Sequence, residues 1–162
     1  MLNTEGRCII VSDSQLVAFT LGEEEYAIDI NFTQEIMRIP SLTKLPNTPP
    51  FLEGVFNLRG KVIPVFDLKK KFLMSQTERS IDSRLLILDL DGIQAGIIVD
   101  DVSEVMKIDK ESIKNLDTEI VGLSKNSIEG VYIVEERIII VLNVSKLKSE
   151  IFKFNLERES VL

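Results

Sequence analysis

The sequence predicts a mainly β protein built as two similar small barrels packed together around one core. Three observations carry this. The stretch "EGVFNLRGKVIPVFDLKK" (Glu53–Lys70) returns as "EGVYIVEERIIIVLNVSK" (Glu129–Lys146). An upstream block also returns: Leu16–Ile39 lies on Leu85–Ile108 without a gap at a shift of 69, and Glu53–Leu68 lies on Glu129–Val144 at a shift of 76. Each half holds four or five short apolar runs bounded by turn residues, enough strands for a small closed barrel, and closure removes exposed strand edges. A period near 70 residues is too long for a solenoid. The 162 residues suit one domain or two small barrels sharing a core, and a chain of this size buries roughly 68–70% of its unfolded surface without staples.

Residues 1–14 read as a loose leader. Leu16–Leu21 and Tyr26–Ile30 then read as strands around a turn at Gly22–Glu24, the second with Tyr26, Ile28 and Ile30 alternating with Ala27 and Asp29. "FTQEIMRI" starts as a helical turn or bulge and continues as a strand, and "PSLTKLPNTPPF" is a proline-punctuated loop that excludes regular helix. The first quoted hairpin follows, then a polar linker over Ser75–Ser83. In the second half, Asp91-Gly92 between apolar runs predicts a hairpin. "DKESIKNLDTEI" predicts a short helix with Asp109 as N-cap. Residues 149–162, with Ile151, Phe152, Phe154 and Leu156, suit a tail or short amphipathic helix. The first barrel is expected mostly from 16–82 and the second mostly from 84–148, with strands exchanged at the ends.

Composition excludes several functions. The net charge of −7 argues against sequence-independent binding to nucleic acid or an anionic membrane. There is no histidine and one cysteine, Cys8. Histidine-based nucleophile pairs, histidine zinc sites, phosphohistidine relays and an intrachain disulfide are therefore all ruled out. The apolar run "CIIV" (Cys8–Val11) is too short for a membrane span. A cytoplasmic setting is expected, with no direct membrane insertion. The paired acids Asp89/Asp91 and Asp100/Asp101 match no calcium-loop spacing, so no metal or cofactor is expected. An enzyme, in the form of a small β-barrel hydrolase using these aspartates, is the competing class.

"FLEGVFNLRGKVIPVFDLKKKF", with "FTLGEEEYAIDINFTQEI" before it and "IVDDVSEV" (Ile98–Val105) in the second half, resembles the CheW family of chemotaxis coupling proteins. The resemblance spans about Leu16 to Lys148. It implies two five-stranded SH3-like barrels with short helices and a scaffold without catalysis. The implied partners are the chemoreceptor cytoplasmic signalling tip and the regulatory domain of the histidine kinase CheA. Neither a phosphotransfer region nor a receiver domain accompanies it, so a stand-alone adaptor fits better than the kinase or the CheV proteins. A different SH3-like protein-binding module is the alternative.

The resemblance also implies receptor or kinase contacts at Thr33, Glu35, Gly54, Arg59, Val102 and Val105. Thr33 departs from the aliphatic residue often found at its position. Arg59 offers a planar fork suited to a carboxylate, and Glu35 is its expected partner. At the repeat shifts Arg59 falls on Glu135 and Glu35 on Glu104, so the second half cannot repeat this pair. Val102 and Val105 also suit a barrel core. Gly54 and Gly130 occupy equivalent places, which points to a backbone requirement. Gly60 suits a positive-φ turn. Pro64 lacks an N–H where the second copy has Ile140, which predicts a locally open or bulged edge in the first barrel alone. Lys69-Lys70-Lys71 reads as a solvated strand end, and Asp67 as a local cap.

Overall fold

The computed structural model describes residues 13–72, 74, 79–115 and 127–149. Its strands follow the repeat shifts. The first half gives β1 (Asp13–Leu21), β2 (Glu24–Asp29), β3 (Thr33–Met37), β4 (Leu52–Leu58), β5 (Lys61–Asp67) and the short helix α1 (Leu68–Lys71). The second gives β6 (Arg84–Leu90), β7 (Ile93–Val99), β8 (Asp101–Asp109), β9 (Ile128–Val134) and β10 (Arg137–Leu142), with residues 144–149 helical. Two five-stranded mixed sheets result. The first sheet has the order β8-β1-β2-β10-β9 and the second β3-β6-β7-β5-β4. Replacing each strand of one order by its repeat counterpart gives the other.

Each sheet takes three strands from one half of the chain and a hairpin from the other. The backbone passes from first sheet to second at the 3-10 turn Ile30–Phe32 and returns at Asp100. Hairpins β1–β2 and β6–β7 are exchanged as whole units.

The expected closure of the barrels is corrected. The strand ladders leave β3 and β4 as edges of one sheet and β8 and β9 as edges of the other. Among the described residues, a single antiparallel bridge crosses each gap, Thr43 to Val55 and Lys114 to Val131. In the second sheet the reason lies in the 40–50 segment, where Pro40, Pro46, Pro49 and Pro50 cannot donate to a ladder.

Each bridge explains a glycine. Thr43 and Val55 exchange both backbone hydrogen bonds at 2.9 Å, as Lys114 and Val131 do at 2.8 Å. A Cβ on Gly54 would lie 2.7 Å from the Thr43 carbonyl oxygen. A Cβ on Gly130 would collide with the Lys114 carbonyl oxygen and lie 2.8 Å from Ile113 Cγ2. The shared glycine is a backbone requirement, since only glycine permits this approach.

Apolar residues occupy both faces of the central strands. Within β1, Leu16 and Ala18 face the interior of the first sheet with Ala27, Ile108, Ile139 and Val141. Val17, Phe19 and Leu21 face the other way, into a shared core with Tyr26, Ile28, Leu86, Leu88, Ile97 and Phe66. The second sheet has its own interior of Ile63, Val65, Leu85, Ile87 and Ile98. Strands buried on both faces read as continuous apolar runs, which is how "LVAF" and "LLIL" appear. Tyr26 stacks between Phe19 and Phe72, and its hydroxyl donates to Glu24 at 2.9 Å. Burial pushes the Tyr26 phenol well above its ordinary range.

Pro64 is not on an edge strand, because β5 lies between β4 and β7. It sits opposite Val55, whose own N–H and carbonyl point away to Thr43. The missing N–H of Pro64 therefore faces β7. There the parallel ladder begins only at Val65–Gly96. In the first sheet Ile140 pairs with Tyr26. The expected opening at an edge is corrected: the ladder is open beside Pro64, but between two interior strands.

Other local readings are refined. Asp13 and Ser14 already belong to β1, so they leave the expected leader, and residues 1–12 lie outside the described residues. Within the described residues the helix predicted from Asp109 forms a 3-10 turn, Lys110–Ser112, with the Asp109 carboxylate accepting from Glu111 N–H, and its stretch from residue 116 lies outside them. Lys114 then leaves it for the bridge. The tail beyond residue 149 lies outside the described residues. Asp67 caps α1 by accepting from the backbone of Lys69 and Lys70.

The lysine run is not a solvated end. Lys69 is buried, and its ammonium meets Asp100 at 2.8 Å, while Lys70 pairs with Glu53. Asp100 also accepts from Gly22 N–H at 2.7 Å. It thus ties α1, beside the second sheet, to the β1–β2 turn of the first.

Candidate functional site

The β4–β5 turn places Arg59 by backbone conformation. Arg59 has φ 50° and Gly60 φ 85°, both positive as a tight two-residue hairpin of the right twist requires. Gly60 N–H donates to Asn57 Oδ1 at 2.9 Å and closes the turn. A Cβ on Gly60 would meet nothing, so this glycine serves conformation and not space.

From that tip the Arg59 guanidinium reaches Glu35 on β3 in a bidentate pair, Nη1 to Oε2 at 3.1 Å and Nη2 to Oε1 at 3.2 Å. Strands β3 and β4 are the two edges of the second sheet, so the pair spans its open side. The Arg59 side chain is 73% exposed and that of Glu35 33%. An ion pair this wet contributes only about 0–1 kcal/mol to folding, while its unused donors face solvent.

The first sheet does not simply lack the pair. Glu104 on β8 stands where Glu35 does, and Glu135, φ 55°, stands where Arg59 does. The base has moved two residues on, to Arg137 at the start of β10. Arg137 meets Glu104 at 2.9 Å and grips Glu25 of β2 at 3.1 and 3.2 Å. Hydrogen bonds to Glu25 and then Glu104 hold its guanidinium above the usual range. Both sheets therefore tie down the edge acid. They differ in where the base sits: on a strand between two acids, or at the tip of a turn.

The remaining candidates divide. Thr33, on β3 opposite Leu88, buries its Oγ1 without a partner among the described residues. Gly54 is the bridge glycine. Val102 and Val105 lie on β8, the edge of the first sheet, so one continuous site with Glu35 and Arg59 is not formed through the ladder. Val102 packs against the shared core, whereas Val105 is 51% exposed. At the repeat shift Val102 is the counterpart of Thr33, and Val105 that of Ile36. Ile36 is itself exposed, and it was not among the sequence candidates. Each sheet thus presents an edge strand carrying an acid followed by an exposed aliphatic residue. The overlay that equated Glu35 with Glu104 contained this signal one residue further on.

Two of the aspartates considered for hydrolysis, Asp89 and Asp100, have structural work. Asp89 accepts from Gly92 N–H at 2.7 Å, and Asp100 holds Lys69 and Gly22. No helix among the described residues is long and apolar enough to cross a membrane.

Two linked β units whose most distinctive features lie on strand edges and a turn define a protein-binding scaffold. The comparisons make the class specific. Residues 15–152 match the CheW-like domain. The chain is 37% identical over 139 residues to "Chemotaxis protein CheW" of Treponema pallidum, covering 83% of this chain and 82% of that protein. It is 36% identical to the protein of that name from Klebsiella aerogenes, covering 83% and 81%. The structure resembles the crystal structure of scaffolding protein TtCheW from Thermoanaerobacter tengcongensis with a TM-score of 0.76 and 41% identity, over 80% of this chain and 88% of that one. The chain belongs to the CheW family. It is a non-catalytic chemotaxis scaffold, of the class that couples receptors to the kinase CheA.

Proposed function

We propose that this scaffold acts in the cytoplasm and receives the chemoreceptor cytoplasmic signalling tip and the CheA regulatory domain on different sheet edges. The carrying observation is the Glu35–Arg59 pair, held at an open sheet edge yet largely exposed. Arg59 supplies a pre-oriented fork for a partner's carboxylate or carbonyl. Glu35 limits the rotamers of Arg59, which lowers the entropic cost of docking. Exposed Ile36 adds apolar area beside them.

Val105 with its neighbour Val102 marks the equivalent edge of the first sheet for the other partner. Thr33 and Gly54 act by shaping β3 and the Thr43 bridge, not by direct contact. Two separate edges let two modest affinities combine through effective concentration. The scaffold then sets the geometry through which receptor state reaches the kinase.

Pull-down with a receptor signalling tip and with the kinase regulatory domain, each alone and both together, tests the reading. Arg59→Ala is expected to lose one partner and keep the other. Retention of both partners at wild-type levels would refute it.

A further inference from the structure

The same sheet carries a second charged feature where the β3–β6 ladder ends. A pocket of about 310 Å³ is lined by Arg38, Arg79 and Arg84 over Ile39, Pro40 and Ile81. Arg38 and Arg84 occupy the next step of the β3–β6 register after Met37–Leu85. Like charges facing across a ladder are unfavourable. The first sheet shows the same rung without the conflict, with Gln15 opposite Lys107.

Among the described residues, only one of the three arginines has a carboxylate. Arg79 meets Glu53 at 3.0 Å, and Glu53 is shared with Lys70. Arg84 is fixed at one end, its Nη1 donating to the carbonyls of Ile81 at 2.7 Å and Ser83 at 2.9 Å. Its other donors, and all of those of Arg38, have no partner among the described residues. The loop that holds Arg84 is itself organised: Ser83 Oγ accepts from Ser80 N–H at 2.9 Å, and Ser80 Oγ accepts from Asp82 N–H at 3.1 Å. Asp82 does not line the pocket. Ile81 is 82% exposed at the rim. This cationic, apolar-floored pocket sits on a chain of net charge −7.

We propose that the pocket binds an acidic segment of a protein partner, one carboxylate between Arg38 and Arg84 and an adjacent aliphatic side chain on Ile39, Pro40 and Ile81. The carboxylate relieves the Arg–Arg rung, and two planar forks suit it better than a diffuse charge would. The aliphatic side chain covers Ile81. A peptide supplies both groups at fixed spacing, whereas a free anion supplies only one. The assignment is independent of the roles given to Glu35 and Arg59.

The test is NMR titration of the full chain at near-physiological salt, following the arginine Nε–H signals. The probes are a synthetic glutamate–leucine peptide, its glutamine–leucine analogue, sodium sulfate and anionic phospholipid vesicles. Saturable shifts of Arg38 and Arg84 with the glutamate peptide alone are expected. Arg38→Gln removes no hydrogen bond within the described residues, so it should fold normally and weaken the peptide roughly tenfold, as loss of one charge-assisted contact would. Arg84→Lys should weaken it by a similar factor. Equal response to the glutamine peptide, equal saturation by sulfate or vesicles, or wild-type affinity in Arg38→Gln would overturn the proposal.

Discussion

The two sheets share strand order, bridge, glycine and apolar interior, and they part at their charged residues. The first sheet places Arg137 between Glu25 and Glu104. The second places Arg59 on a turn tip against Glu35 and lines a pocket with three arginines. What is common to both copies is what the fold needs: Gly54 and Gly130 under a crossing carbonyl, Val65 and Val141 inside, and a tethered acid on the edge. What differs is free to serve partners. At the repeat shift the pair itself does not recur, because Arg59 falls on Glu135. A tethered edge acid does appear twice, so the case for docking rests on the exposure of Arg59 and not on the absence of a counterpart.

The largest expected effect comes from removing Asp100, the polar node between the sheets. Asp100→Ala would remove the carboxylate that the Lys69 ammonium, on a side chain only 6% exposed, meets at 2.8 Å. A loss of about 3 kcal/mol in chemical denaturation is expected, as for a broken buried pair. The first-sheet counterpart, Asn31→Ala, removes no charge and should cost far less. Equal costs would erase the asymmetry.

Next come the shared glycines. Gly54→Ala and Gly130→Ala should each cost about 2 kcal/mol, because the new methyl meets a backbone carbonyl that cannot rotate away. Parallel losses sharpen the equivalence of the two bridges. A neutral result at either position would break it.

Much of this was legible in the sequence. The ungapped shifts of 69 and 76 located the ten strands of the described residues, because alternating apolar runs and turn residues are local signals. The Glu35–Arg59 contact was also readable, from a resemblance and from the matching chemistry of fork and carboxylate. An exchange of strands at the barrel ends was expected, but not that the whole hairpins β1–β2 and β6–β7 are the exchanged units. β1 and β6 are apolar on both faces, so their local pattern suits either sheet, and the partner is fixed by the short crossings at Ile30–Phe32 and Asp100. Lys69 was misread because three consecutive lysines look solvated. Its burial depends on Asp67 starting a helical turn that aims it at an acid 31 positions away. The base at Arg137 was missed because the overlay compares like positions, and the charge had moved along the strand. The arginine rung was hidden for a related reason, since Arg38 and Arg84 lie far apart in sequence.

Smaller effects should follow at Pro64. Pro64→Ile restores an N–H facing β7, as Ile140 has toward β2. Hydrogen exchange should show a newly protected amide at position 64, with stability changed by less than about 1 kcal/mol. An unprotected amide would mean that the gap between β5 and β7 has another cause. Smallest of all, Arg59→Ala should change stability by about 0–1 kcal/mol, within the range of an exposed pair.

The most direct measurement is a charge-reversal cycle at the turn tip. Affinity for the receptor signalling tip and for the kinase regulatory domain would be measured for Arg59→Glu, Glu35→Arg and the double variant, alongside their thermal midpoints. The exposed fork, if it touches a partner, predicts near-native midpoints throughout and no recovery of that partner in the double variant, although the ion pair is rebuilt. Recovery of binding in the double variant would show that the pair serves the sheet and not the partner.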